Sequence, residues 1–242
     1  MHLKFFNAEL TSLYERLVIK AEALYNRHMY DDCIKCIQAA AEFQYNLNYI
    51  YTDNRLDTLL QEISKDLFTC DTDPLNDDVV FFYDSFCLDN RGLTQHYLDA
   101  LVSARKYKII YVLEALNLNL GLDTITYLKT NNAVIEVLPE DSIINKSKYV
   151  YQLIKKYRPS SVLFHLTPYT SIPFLAFYPF PQIIKYQINL TDHAFWLGGR
   201  HFFDYLYEFR HYGMEVSINK RGYDISQLIL NQYYPWQSGL PF

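Results

Sequence analysis

The sequence predicts an α/β protein: a doubly wound, mainly parallel sheet preceded by a small all-helical region. Three observations point there. Before Pro74 the chain contains neither glycine nor proline, and its apolar residues recur at helical spacing. Beyond about residue 78, short apolar runs bounded by polar residues alternate with helical patterns. Apolar residues make up 50% of the 242 positions, enough to bury a sizeable core.

Residues 8–64 read as helical throughout. Leu10, Leu13, Tyr14, Leu17, Val18, Ala21, Leu24 and Tyr25 fall on one face of a first helix. A turn is expected at Asn26–Met29, and a second helix from Tyr30 carries Ile34, Ile37, Ala41 and Tyr45. Thr52 and Asp53 are both N-cap candidates for a third helix bearing Leu56, Leu59, Leu60 and Ile63. Cys33 and Cys36 have the spacing of half a zinc site. They lie mid-helix without a second pair, so they read as core thiols. The polar, acidic stretch Thr69–Asp77 is a candidate linker. It divides the chain into a helical region, 1–70, and a sheet region, 78–242.

The run Val79–Tyr83, between Asp78 and Asp84, suits a strand buried on both faces. A helix is expected over Gly92–Arg105, then strands over 109–113 and 134–138 with a short helix, Asp123–Thr130, between them. Lys146–Tyr157 reads as a helix closed by Arg158-Pro159. Strands at 162–166 and 183–188 flank a short helix at Ile172–Tyr178. A sixth strand near Asp204, a helix near His211–Lys220 and an extended segment from Leu228 complete the pattern. Such alternation means crossover connections, and ligands of such sheets bind beyond the carboxyl ends of the strands.

Composition narrows the function. Lys and Arg total 22 against 27 Asp and Glu, a net charge of −5, and no basic stripe tracks a phosphate backbone. Nucleic acid is therefore not the expected partner. The N-terminus lacks the long apolar run of a signal peptide. The most apolar segment, Ile172–Ile184, is broken by Pro173, Pro179 and Pro181. A cytoplasmic protein is expected, with at most a peripheral membrane contact. The 17% aromatic content reads as core filling rather than as a sugar-facing surface.

Three stretches at the predicted ligand edge could carry chemistry. The first is Asp84–Leu101, where an Arg91-Gly92 turn opens a helix whose free N–H groups can hold an anion. Gly92 and His96 are its candidate binding residues. It is neither a GxGxxG nor a Walker motif. The second is His165-Leu-Thr-Pro168, where Thr167 offers a hydroxyl or, alternatively, caps a helix that Pro168 starts. The third and strongest is Asn189–Arg200, which brings together Asp192, His193, Trp196, the Gly198-Gly199 pair and Arg200. A carboxylate beside an imidazole on an irregular segment suits a general base that takes a proton from a hydroxyl. The alternative is a loop anchored by Phe195 and Trp196, with Asp192 and His193 making local hydrogen bonds.

Residues Ala23–Phe43 resemble one tetratricopeptide unit, with Tyr25, Tyr30, Asp31, Ile34 and Ala40 at the packing positions and His28 in place of the usual turn glycine. With this helical pair, the strand–turn–helix VVFFYDSFCLDNRGLTQHYLDAL, the loop INLTDHAFWLGGR and the stretch NKRGYDISQLILNQYYPW, the chain resembles the N-terminal half of bacterial GT-B glycosyltransferases. The resemblance implies a Rossmann-like acceptor-side domain. It implies no cofactor: a nucleotide sugar is the expected donor substrate and a glycan the acceptor, in surface polysaccharide assembly. Gly92 would lie near the donor phosphates, although the family's double glycine is here Arg91-Gly92. His193, with Asp192 beside it, would face the cleft as a base or acceptor contact. Thr167, His96, Trp196 and Arg200 are expected to bind substrate. A second Rossmann-like domain, supplied in cis or in trans, is the expected partner, because a donor-binding half is not found before Phe242. The alternative expectation is a non-catalytic adaptor built on the same sheet. A receiver-like signalling domain is a weaker idea, since Asp84 and Asp89 make a poor phosphorylation cluster.

Overall fold

The computed structural model describes residues 2–87, 93–115 and 122–231. Three helices lead the chain: α1 (His2–Tyr25), α2 (Tyr30–Leu47) and α3 (Asn54–Leu67). The reversal between α1 and α2 turns on His28, whose φ of +55° is the left-handed conformation that glycine usually supplies. Its Nδ1 lies 2.8 Å from the Tyr30 hydroxyl. Asp53, not Thr52, caps α3 by accepting from the Arg55 N–H at 2.8 Å. Cys33 and Cys36 are buried in α2, and the Cys33 thiol donates to the Ala21 carbonyl.

The rest is a seven-stranded sheet of order β3-β2-β1-β4-β5-β6-β7, with every neighbouring pair parallel. The strands are β1 (Asn76–Asp84), β2 (Lys108–Leu113), β3 (Val134–Val137), β4 (Pro159–His165), β5 (Ile184–Ile188), β6 (Tyr205–Glu208) and β7 (Leu228–Leu230). The helices between them are α4 (Leu93–Ala104), α5 (Leu122–Thr130), α6 (Ile143–Tyr157), α7 (Ile172–Phe177), α8 (Gly199–Phe202) and α9 (His211–Arg221). This is the expected Rossmann-like architecture with an N-terminal helical region. The order reverses direction between β1 and β4, so the carboxyl ends of those strands form a topological switch point.

Each sheet face has its own core. Val80, Phe82, Tyr111, Leu113 and Leu163 pack with Leu98 of α4 and Ile125 and Leu128 of α5. On the other face Phe81, Tyr83, Val112, Val162 and Phe164 belong to a cluster that also takes in Ile34, Ile37, Leu60 and Ile63 of the helical region. The helices thus cover the sheet side and do not stand apart from it. The Ser64 hydroxyl of α3 donates to the Leu175 carbonyl of α7 at 2.7 Å, inside this shared core.

The linker is also tied down. Arg158, the left-handed C-cap of α6, donates to Asp71 at 2.6 Å and to Asp73 at 2.5 Å. Two expectations about local structure change. Pro168 does not start a helix: α7 begins at Ile172, with Ser171 at its N-cap. The one-turn α8 carries no apolar periodicity long enough to find in the sequence. Among the described residues no helix is long and apolar enough to cross a membrane.

Candidate functional site

Two clusters of polar side chains lie at the carboxyl edge of the sheet. The first is the loop that leaves β5. Its inner end is set by Asn189, whose Nδ2 donates to Glu208 Oε1 at 2.9 Å. The Ser217 hydroxyl donates to the same oxygen at 2.6 Å, and burial pushes the Glu208 carboxyl up from its ordinary range. Arg221, at the end of α9, holds the loop's backbone. Its Nη2 donates to the carbonyls of Ala194 at 2.6 Å, Thr191 at 2.9 Å and Asp192 at 3.3 Å. The guanidinium lies 4.7 Å from the Trp196 ring centroid and 5.3 Å from that of Tyr51. Burial lowers its pKa to about 10, which still leaves it charged at neutral pH.

The helical region closes the loop from the other side. Asn48, the C-cap of α2, donates to the His193 carbonyl at 2.5 Å. The Tyr51 carbonyl accepts from Trp196 N–H at 3.4 Å. Asp57, in the first turn of α3, accepts from Gly198 N–H at 2.8 Å. Gly198 adopts φ +96°, and a Cβ there would lie 2.0 Å from Phe174 Cε1. A Cβ on Gly199 would lie 2.8 Å from Asp57 Oδ2, the end of a side chain, so backbone and close approach together require glycine at 198 alone of the pair.

This backbone cage leaves one pair with chemical freedom. Asp192 is buried, and Arg210 grips its carboxylate with two bonds: Nε to Oδ2 at 2.5 Å and Nη2 to Oδ1 at 2.8 Å. Burial pushes the Asp192 carboxyl up, but the Arg210 guanidinium and the His193 ring outweigh it and hold it below its ordinary value. His193 Nδ1 lies 3.3 Å from Asp192 Oδ1, and its side chain is 59% exposed. With Nδ1 turned to the carboxylate, Nε2 is the ring nitrogen left to meet a ligand.

The second cluster sits at the switch point. Asp84 and His165 end β1 and β4 and are register partners. Both side chains are fully buried, and His165 Nδ1 lies 2.9 Å from Asp84 Oδ1. The Asp84 carboxylate also accepts from Tyr111 O–H at 2.7 Å and from the N–H groups of Phe86 and Cys87 at 2.9 and 3.1 Å. Beside it Glu114 accepts from Thr170 Oγ1 at 2.6 Å and Tyr83 O–H at 3.0 Å, and burial raises its pKa.

The structure distributes the sequence candidates unevenly. Asp192 and His193 are adjacent and paired. Trp196 is 3% exposed and packs against Phe203 and Tyr223. Thr167 lies at the switch point, where its N–H donates to Ser85 Oγ at 2.6 Å and its hydroxyl accepts from the same group at 3.3 Å. His96 is half-buried on the first turn of α4. Arg200 is exposed, donates to the Gly222 carbonyl at 3.5 Å and lines a surface pocket with His201, Tyr223 and Asp224. Gly92 lies outside the described residues. Sequence reasoning missed Arg210, Arg221, Asn48 and the Asp84–His165 pair. Arg210 and Arg221 stand about 20 and 30 positions from the loop they hold, with no local motif. A carboxylate ending an otherwise apolar strand was a usable signal for Asp84. Among the described residues no group of three or more His, Cys, Asp or Glu is arranged to hold a metal ion.

No family model matches the chain, and no curated protein matches it. Among solved structures, a point mutant of the Thermobaculum terrenum O-GlcNAc transferase superposes on 82% of this chain with a TM-score of 0.46 and 12% sequence identity. The chain spans 38% of that protein's length.

Proposed function

We propose that this chain is the acceptor-side half of a glycosyltransferase that moves a sugar from a nucleotide-sugar donor to a glycan hydroxyl. The observation that carries the reading is the Asp192–His193 pair on the loop after β5. An exposed imidazole backed by a buried, Arg210-held carboxylate is the arrangement a hydroxyl-activating base needs. Asp192 orients the ring and stabilises the imidazolium as the proton arrives. The acceptor oxygen then bonds to the donor's anomeric carbon as the bond from that carbon to the phosphate oxygen breaks, and the nucleotide leaves with the electron pair on its terminal phosphate. The reading assigns the donor's binding groups to a second domain, supplied in cis or in trans. Surface polysaccharide assembly is the proposed setting.

The reading is tested in the full gene product by His193→Ala. Positioned general bases contribute about 10²–10⁴-fold, and the variant is expected to lose transfer by that factor while its thermal unfolding stays unchanged. Transfer equal to the parent's would remove His193 from the mechanism.

A further inference from the structure

The second cluster has a feature that the proposed transfer does not use. Among the described residues, His165 Nε2 is buried and has no hydrogen-bond partner. The other ring nitrogen is committed: Nδ1 faces Asp84 Oδ1 at 2.9 Å, with Thr94 Oγ1 at 3.2 Å. The Asp84 carboxylate takes bonds from the Phe86 and Cys87 amides, the Tyr111 hydroxyl and His165. A carboxylate so surrounded by donors acts as an acceptor only, which fixes the proton of His165 on Nδ1. In the neutral ring Nε2 then carries the lone pair, with no donor to it among the described residues. An unpaired buried acceptor costs free energy, so its retention at a ligand edge calls for a donor.

We propose that Asp84 and His165 form a second ligand site, in which His165 Nε2 accepts a hydrogen bond from a hydroxyl of a sugar. The ligand class rests on the glycosyl-transfer reading above; the vacant acceptor does not. The Phe86 ring lies over the face of the imidazole. Its centroid lies 4.7 Å from that of the imidazole, at an interplanar angle of 33°, on a half-buried side chain of the β1 exit. A sugar hydroxyl that meets Nε2 in the plane of the ring gains a fixed acceptor whose tautomer Asp84 sets, with the Phe86 ring alongside. The site adds binding and orientation at the switch point. It is not a second base, because Asp84 and His165 are shut off from bulk water.

The test is ¹⁵N-histidine NMR on the unmodified protein, with the rings assigned by His165→Gln and His193→Gln. Glucose, galactose and N-acetylglucosamine are the probes, each titrated to saturation or to its solubility limit. The free protein is expected to show His165 as the Nδ1–H tautomer, with Nε2 at the shift of an unprotonated nitrogen. At least one sugar is expected to move Nε2 upfield saturably. An Nε2 protonated before any sugar is added overturns the proposal. So does an Nε2 resonance that already has a hydrogen-bonded shift and ignores every sugar, which means an ordered water fills the place. Shifts confined to His193 also overturn it while leaving the transfer reading intact. Loss of transfer in His193→Ala tests that reading separately.

Discussion

Gly198 and Gly222 both occupy the left-handed region, with φ of +96° and +76°, but their surroundings differ. A Cβ on Gly198 meets the Phe174 ring at 2.0 Å, whereas on Gly222 the nearest atoms are the flexible Arg200 side chain at 3.7 Å. Gly222→Ala therefore carries backbone strain alone, about 1–2 kcal/mol. Gly198→Ala adds overpacking against a buried ring and is expected to cost about 2–5 kcal/mol. Urea unfolding of the two variants checks the difference. Equal losses would mean that the Phe174 ring yields and that the Asp192–Gly198 loop is not pinned there. The sequence shows a glycine pair but not this reason for it, because Phe174 approaches from α7.

At the scale of elements, α3 grips the loop through one carboxyl. Burial raises the Asp57 pKa from 3.8 to about 7, against the opposing hydrogen bond from Gly198 N–H. The folded protein thus binds a proton here more tightly than the unfolded chain does. Stability from this group is full at low pH and falls as pH rises from about 4 through 7. Asp57→Asn keeps an oxygen for Gly198 N–H without the charge. The variant is expected to lose less stability than the parent between pH 5 and pH 8, measured by urea midpoints at both values. Parallel pH profiles would contradict the account. The elements themselves were largely legible. Apolar runs such as Val79–Tyr83 have one interpretation once helical patterns separate them, and Asp53 was visible as a cap. What was not legible depends on distance in the chain. Arg221 reaches back about 27 to 30 positions to its carbonyls, and Asp84 meets His165 only because β1 and β4 are neighbours across the reversal. The one-turn α8 is too short for periodicity to reveal.

Across the whole molecule, the helical region and the sheet share one apolar cluster, running from Val18 and Ile37 through Leu60 to Phe81 and Phe164. The sequence suggested a linker at Thr69–Asp77, but Arg158 ties it to α6 and the amino end of β4 through Asp71 and Asp73. The same helices hold the candidate loop through Asn48, Tyr51 and Asp57. We expect the core amides of α2, α3, β1 and β4 to exchange with solvent at one common free energy of opening. Separate, lower protection for α2 and α3 would mean that they dock on the sheet without sharing its cooperative unit.

The claim on which the functional account turns is that an imidazole at position 193 accepts the acceptor's proton. It is tested most directly by adding imidazole to His193→Ala in the full gene product and following sugar transfer. The account predicts that free imidazole restores part of the lost rate, in proportion to its unprotonated form, because the carboxylate of Asp192 still lines the vacated space. A rate that stays at the depressed level at every imidazole concentration, in a variant that unfolds like the parent, would contradict it.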